Sequence, residues 1–301
     1  MSLRVLRARR LAYVASSAAR TRLATARRLR SHSLMSWEPA TYEQFKAERA
    51  QPFHDLLALV ESQPDMDVVD LGCGTGELTR LLHDHLWARA TLGLDSSPAM
   101  LAHTCPEGQV ATPLNPAVLD ARGLRFALQD IARFEPGPRF DLVFTNAALH
   151  WLPDHPSALA HLTAMLRPGG QLAVQIPYNH HHPGHVLAAT LASEPPYADA
   201  LEGFVQRFAV LPPAEYLVLL DRLGYLRPHV RLQVYPHRLG EGAAVADWLS
   251  GSLLTGYRAR LSPERYREFF VEYRRRVAAV LGEGQPYLYA FERLLFWARR
   301  P

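Results

Sequence analysis

A chain of 301 residues, 48% of them hydrophobic, can bury one large α/β core or a core with a substantial cap, and it holds no apolar run near the roughly 18 residues a membrane span requires. Its two cysteines, Cys73 and Cys105, make neither a disulfide framework nor a metal-binding pattern, which points to a reducing compartment. The net charge of +4 is carried by residues 1–34, which hold nine arginines and no acid; subtracting those nine leaves a body near −5, with no basic patch to expect nucleic acid as a partner.

Residues 1–34 are rich in Arg, Ser and Ala and formally fit a transit peptide. Lys46 is nevertheless the single lysine beside 32 arginines, the bias of a GC-rich bacterial genome, and Met35-Ser36-Trp37 reads like a natural start. Residues 1–34 are therefore expected to be a basic leader, a misplaced upstream start or a targeting tail, lying outside a domain that spans 35–301.

Trp37 to Val60 reads as a helical lead-in, with Tyr42, Phe45 and the run Phe53–Val60 near helical spacing. Strand 1 is expected at Asp67–Leu71. Gly72-Cys73-Gly74-Thr75-Gly76 follows, then an amphipathic helix over Glu77–Leu86. Glycines at alternate positions permit open dihedrals and let a ligand lie against the backbone. A dinucleotide fingerprint would need a sixth-position glycine, where this chain has Glu77. Strand 2 is expected at Ala90–Leu94 ahead of Asp95, and Ser96-Ser97-Pro98 opens a helix with a cap and a first-turn proline. Residues 104–123, with three prolines and no period, read as a long loop. Strand 3 is Leu124–Leu128 and strand 4 Phe140–Thr145. A helix over Ser157–Leu166 and the turn Arg167-Pro168-Gly169-Gly170 precede strand 5, Gln171–Ile176. Beyond Tyr178 the alternation breaks: 183–228 and 244–281 read as mostly helical, Val230–Tyr235 and Phe291–Ala298 as strands.

This order predicts an α/β fold, a Rossmann-like, doubly wound and mostly parallel seven-stranded sheet with helices on both faces. A helical C-terminal cap and an antiparallel edge pair complete it. Ligands bind such sheets beyond the carboxyl ends of the strands, where Gly72–Gly76, Asp95, Asp130 and Asn146 all fall. Asp95 is placed to accept both ribose hydroxyls of a nucleoside. Asn146 through His155 should line the neighbouring pocket, with Trp151 a wall suited to a cation and His150 a possible base. His180-His181-His182 and His185 lack an accompanying carboxylate or cysteine at ligand spacing, so no metal is expected.

Acid-x-Gly-x-Gly-x-Gly over Asp70–Gly76 resembles motif I of the class I S-adenosylmethionine (SAM) methyltransferases. From Trp37 to Arg300 the chain is similar to the trans-aconitate 2-methyltransferase family among them. The similarity is carried by Trp37-x-Pro39-x-x-Tyr42-x-x-Phe45, Leu94–Leu101, Trp151-Leu152-Pro153-Asp154-His155 and Ala173-Val174-Gln175-Ile176-Pro177-x-Asn179. Tyr216, Tyr235-x-His237, Val245-x-x-Trp248 and Phe291-x-Arg293-x-x-Phe296 follow in the same order. The resemblance implies a cytoplasmic, monomeric enzyme that esterifies one carboxylate of trans-aconitate or a similar small acid, without membrane or nucleic-acid partners. A different acid or a hydroxyl group is the alternative acceptor, and cofactor binding without catalysis the remaining one. Residues 35–180 would bind SAM and 181–290 form the cap and edge strands. The implied SAM contacts are Asp70 (with the ammonium, directly or through water), Gly72, Cys73, Gly74, Gly76, Asp95, Ser96, Met100, Asp130, Ile131, Asn146, Trp37 and Tyr42. Trp151, Tyr235, His237 and Arg258 would meet the acid, with Trp151 and His150 as positioning groups. The chain departs from the family in its longer 104–123 loop and at Leu254-Thr255-Gly256-Tyr257, where the family carries Leu-Arg-Pro and an aromatic residue; Arg258 or Arg260 would supply the missing cation.

Overall fold

The computed structural model describes residues 46–104 and 123–301. Trp37, Tyr42, Cys105 and most of the long loop lie outside the described residues. In chain order the helices are α1 (Lys46–Leu57), α2 (Glu77–Leu86), α3 (Pro98–Leu101), α4 (His155–Ala164), α5 (Pro183–Ala192), α6 (Tyr197–Ala200), α7 (Pro213–Arg222), α8 (Ala244–Ser250), α9 (Thr255–Arg258) and α10 (Pro263–Leu281). The strands are β1 (Asp67–Leu71), β2 (Ala90–Asp95), β3 (Leu124–Leu128), β4 (Phe140–Asn146), β5 (Leu166–Pro177), β6 (Leu226–Leu239) and β7 (Tyr287–Arg299).

All seven strands form one sheet in the order β3-β2-β1-β4-β5-β7-β6. The first five are parallel, and β7 runs antiparallel to both β5 and β6. The chain reverses its winding direction between β1 and β4, so the crevice for a ligand opens above those two strands. Strands buried on both faces alternate between two cores. Val69, Val143, Leu172, Val174, Leu294 and Phe296 face α4 and α7. Val68, Leu142, Phe144, Ala173, Leu295 and Trp297 face α1 and α2. A third core packs α5, α6, α8, α9 and α10 against Leu239, Tyr289 and Phe291 at the far ends of β6 and β7. This is the cap, while α7 packs with the main core.

β1, α2 and β3 occupy the spans expected from the sequence. The edge strands run further than Val230–Tyr235 and Phe291–Ala298, because Pro228 and Pro236 look like strand ends yet β6 is an edge strand, where proline is tolerated. The 183–228 segment is less helical than its composition indicates, since residues 204–212 carry no helix or strand.

Candidate active site

Gly72, Gly74 and Gly76 all adopt left-handed φ, at 81°, 57° and 73°. The reasons differ. A Cβ on Gly72 would stand 2.2 Å from the Cβ of Ala148, and one on Gly76 2.7 Å from the Phe126 ring, whereas Gly74 faces open space. The first and third glycines let the loop pack, and the second leaves room for a ligand. Gly72→Ala is therefore expected to cost several kcal/mol of stability through overpacking and strain. Gly74→Ala should cost only about 1–2 kcal/mol in φ strain while weakening cofactor binding more than tenfold. Thermal melts beside calorimetric SAM titrations separate the two effects.

Asp95 closes the loop from β2. Its Oδ2 accepts from the Gly74 N–H at 2.9 Å and its Oδ1 from the Ser97 N–H at 2.8 Å. Each carboxylate oxygen keeps a second acceptor site for a diol. Burial pushes its pKa up, against the lowering effect of the Ser97, Gly74 and Ser96 amides. Ser97 is the residue that caps α3, and Met100 is buried behind it. Asp70 is buried and accepts from the Thr79 hydroxyl at 2.5 Å. Desolvation, with a smaller push from Asp95, raises it to about 7, so a cation is the ligand that would restore its charge. Cys73 is buried, and desolvation raises its thiol pKa well above the usual range. Asp130 caps the short turn Ile131–Arg133 through the Ala132 N–H at 2.9 Å, and its side chain is 44% exposed. Ile131 lies against Gly72. At the end of β4 the Oδ1 of Asn146 is buried with no hydrogen-bond partner.

Beyond Asn146 the site turns aromatic. His150, Trp151, Phe208 and His185 form one cluster, with ring centroids 4.8 Å apart for His150–Trp151 and 5.2 Å for Trp151–Phe208. Burial first, then the nearby Arg293 charge, lowers His150 to about 3, and burial lowers His185 likewise to about 3. Both are neutral at physiological pH, which leaves His150 a feeble base. His237 stacks on Trp248 at 4.7 Å and is buried within the cap. Tyr235 donates to Asp55 of α1 at 2.6 Å, so its hydroxyl braces that helix. Arg258 lines a cavity of about 470 Å³ with Ser250, Leu261, Tyr266, Arg267 and Phe270. Thr255-Gly256 is enclosed too: Thr255 is buried, and a Cβ on Gly256 would meet Gln206 Oε1 at 2.4 Å. That departure from the family is accommodated by packing within the cap.

Two residues of the Trp-Leu-Pro-Asp-His segment are structural. Asp154 caps α4 through the Ser157 N–H at 3.1 Å, and buried His155 hydrogen-bonds Tyr216 of α7. Of the consecutive histidines, His182 caps α5 and contacts Tyr287, and His181 faces Glu292 at 3.3 Å. Among the described residues no cluster suits a metal ion, and no helix is long and apolar enough to cross a membrane. Sequence reasoning passed over Arg293, a buried arginine on β7, and Phe208, which joins the cap to the His150 loop.

A seven-stranded sheet of this order, with open space at its second glycine and a carboxylate at the tip of β2, defines a Rossmann-like methyltransferase, and residues 42–233 match the methyltransferase domain family. Within it the chain belongs to the trans-aconitate 2-methyltransferase family. It is 42% identical to the trans-aconitate 2-methyltransferase of Deinococcus radiodurans over 89% of this chain and 99% of that protein. It is 35% identical to that of Variovorax paradoxus over 81% and 90%, and 34% identical to that of Escherichia coli over 89% and 99%. The fold itself is shared with the YcgJ protein of Bacillus subtilis, at TM-score 0.51 and 14% identity over 83% of this chain and 98% of that one. A Bacillus halodurans structure matches with the same TM-score and coverage at 16% identity. The chain is a SAM-dependent methyltransferase.

Proposed function

We propose that this enzyme esterifies one carboxylate of trans-aconitate, giving a monomethyl ester. SAM supplies an electrophilic methyl group on a sulfonium. The chain's own residues position it: Asp95 takes the ribose hydroxyls, Asp70 the ammonium, and the backbone of Gly72–Gly76 the methionine part. Ser96, Met100, Asp130 and Ile131 surround the nucleoside, with Trp37 and Tyr42 as further cofactor contacts. Trp151 walls the acid pocket and His237 faces it. Residues 35–180 hold the cofactor and 181–290 cover the acid, in a monomeric cytoplasmic protein acting on a small molecule rather than nucleic acid.

What carries this reading is the buried His150, whose pKa is held well below the usual imidazole range by burial and then by the Arg293 charge. A carboxylic acid with pKa near 4 is ionised at neutral pH, so the nucleophile exists without a base. What the site must do is orient the oxygen, exclude water and balance the remaining negative charge. A weak base next to a buried guanidinium suits an acid and not a hydroxyl substrate.

At saturating SAM, kcat for trans-aconitate is therefore expected to stay flat between pH 6 and 8, because a group with pKa about 3 is already deprotonated there. Stopped assays across that range check it. A rate that climbs through pH 6–7 would mean a histidine base and a hydroxyl acceptor. In the same assays kcat/KM should fall from trans-aconitate to di- and monocarboxylic acids of similar size.

A further inference from the structure

We infer that Arg293, with Gln175 beside it, is the fork that receives a non-reacting carboxylate of the acid substrate. This rests on the acid-methylating reading above and adds the residues that choose the acid.

The argument begins with strand register. Side chains alternate along a strand, and paired residues share a face. Asp70 of β1 pairs with Phe144 of β4, whose ring packs toward α1 and α2. Asn146, two residues further along β4, shares that face and pairs with Gln175 of β5. Pro177, two residues beyond Gln175, pairs with Arg293 of β7. Asp70, Asn146, Gln175 and Arg293 thus form one row across four neighbouring strands, all at the carboxyl end of the parallel sheet. The row runs from the cofactor's acidic residue to a buried cation.

The far end of the row is built for an anion. Arg293 is 5% exposed and Gln175 is fully buried. The Arg293 Nη1 approaches the Gln175 Oε1 at only 3.5 Å, and its guanidinium lies 4.6 Å from the Phe291 ring centroid. The Gln175 Nε2 is buried with no partner, and so is the His150 Nδ1. An amide donor left unsatisfied in a core is destabilising, so such an atom calls for a ligand. Among the described residues, Asp55, held by Tyr235, and Arg231, which donates to the Asp55 carbonyl, stand on the neighbouring elements. A carboxylate lying between Arg293 and the Gln175 amide would receive a planar guanidinium edge and one further N–H. A tricarboxylate can reach this pair with one carboxylate while another stands above Asn146, on the cofactor side.

Steady-state kinetics of the full chain test the assignment. Arg293→Lys keeps a cation but loses the fork, and Gln175→Met keeps volume but loses the amide. The KM for trans-aconitate should rise 30–100-fold in the first and about tenfold in the second, with SAM affinity by calorimetry within twofold of native. Both should lose the preference for a tricarboxylate over a monocarboxylic acid. A merely structural role would lower the melting temperature and SAM affinity together and leave that preference intact. If Arg293→Lys does not fold, Gln175→Met decides alone. Unchanged KM and preference in a folded variant overturn the inference while leaving the reaction standing. Failure of the native enzyme to turn over any acid would overturn the functional reading instead.

Discussion

Asp95→Ala lowers SAM affinity by roughly 10²–10⁴-fold. Two hydrogen bonds from ribose hydroxyls to an ionised carboxylate are worth about 1.5–3 kcal/mol each, and every 1.4 kcal/mol is a factor of ten. The carboxylate also accepts the Gly74 and Ser97 amides, so alanine loosens the glycine loop as well as losing the diol. Asp95→Asn separates these contributions, because its remaining oxygen can still hold one amide. It should bind SAM more tightly than the alanine variant and more weakly than native, with a melting temperature closer to native. Calorimetric titration and thermal unfolding measure both quantities. An alanine variant that binds within threefold of native would remove Asp95 from the cofactor site.

Asp70→Asn should stabilise the free protein and weaken SAM binding about 100-fold. Burial raises the Asp70 carboxyl from 3.8 to about 7. A carboxyl whose folded pKa lies above its unfolded one holds its proton more tightly when folded. Stability contributed by that proton is complete below pH 3.8 and is lost as pH rises to 7. The asparagine gain in melting temperature should accordingly be larger at pH 8 than at pH 5. Asn can accept the Thr79 hydroxyl through its amide oxygen, so the native hydrogen bond survives. The cofactor's ammonium needs the ionised form. Native affinity for SAM is expected to fall as pH drops below 7, approaching tenfold per unit, while the Asn variant shows no such limb. Titrations at pH 5.5 and 8 read both trends. Equal pH dependence in the two proteins would show that Asp70 does not meet the ammonium.

The cofactor half of the site was legible in the sequence because it is local. Asp70, the three glycines and Asp95 lie within 26 consecutive positions, and the glycines' left-handed φ follows from their spacing at a strand-to-helix turn. The acid half is assembled from distant segments. Gln175 and Arg293 meet only because β7 folds back antiparallel on β5, a pairing that the position of Arg293 in the Phe291-x-Arg293-x-x-Phe296 pattern does not reveal. Arg258 drew attention through a nearby sequence departure, and α9 places it in the lining of a cavity with residues of α8 and α10. Tyr235, expected to meet the acid, hydrogen-bonds Asp55, and His155 of the Trp-Leu-Pro-Asp-His segment hydrogen-bonds Tyr216; both contacts join segments far apart in sequence.

The most direct test incubates the full chain with SAM and trans-aconitate and follows both products by mass spectrometry. One equivalent of S-adenosylhomocysteine should appear with each monomethyl ester, and mild alkali should return trans-aconitate, as an ester requires. SAM that binds to the protein yet stays unconverted with trans-aconitate, or an alkali-stable methyl ether from a hydroxy acid, would contradict the account.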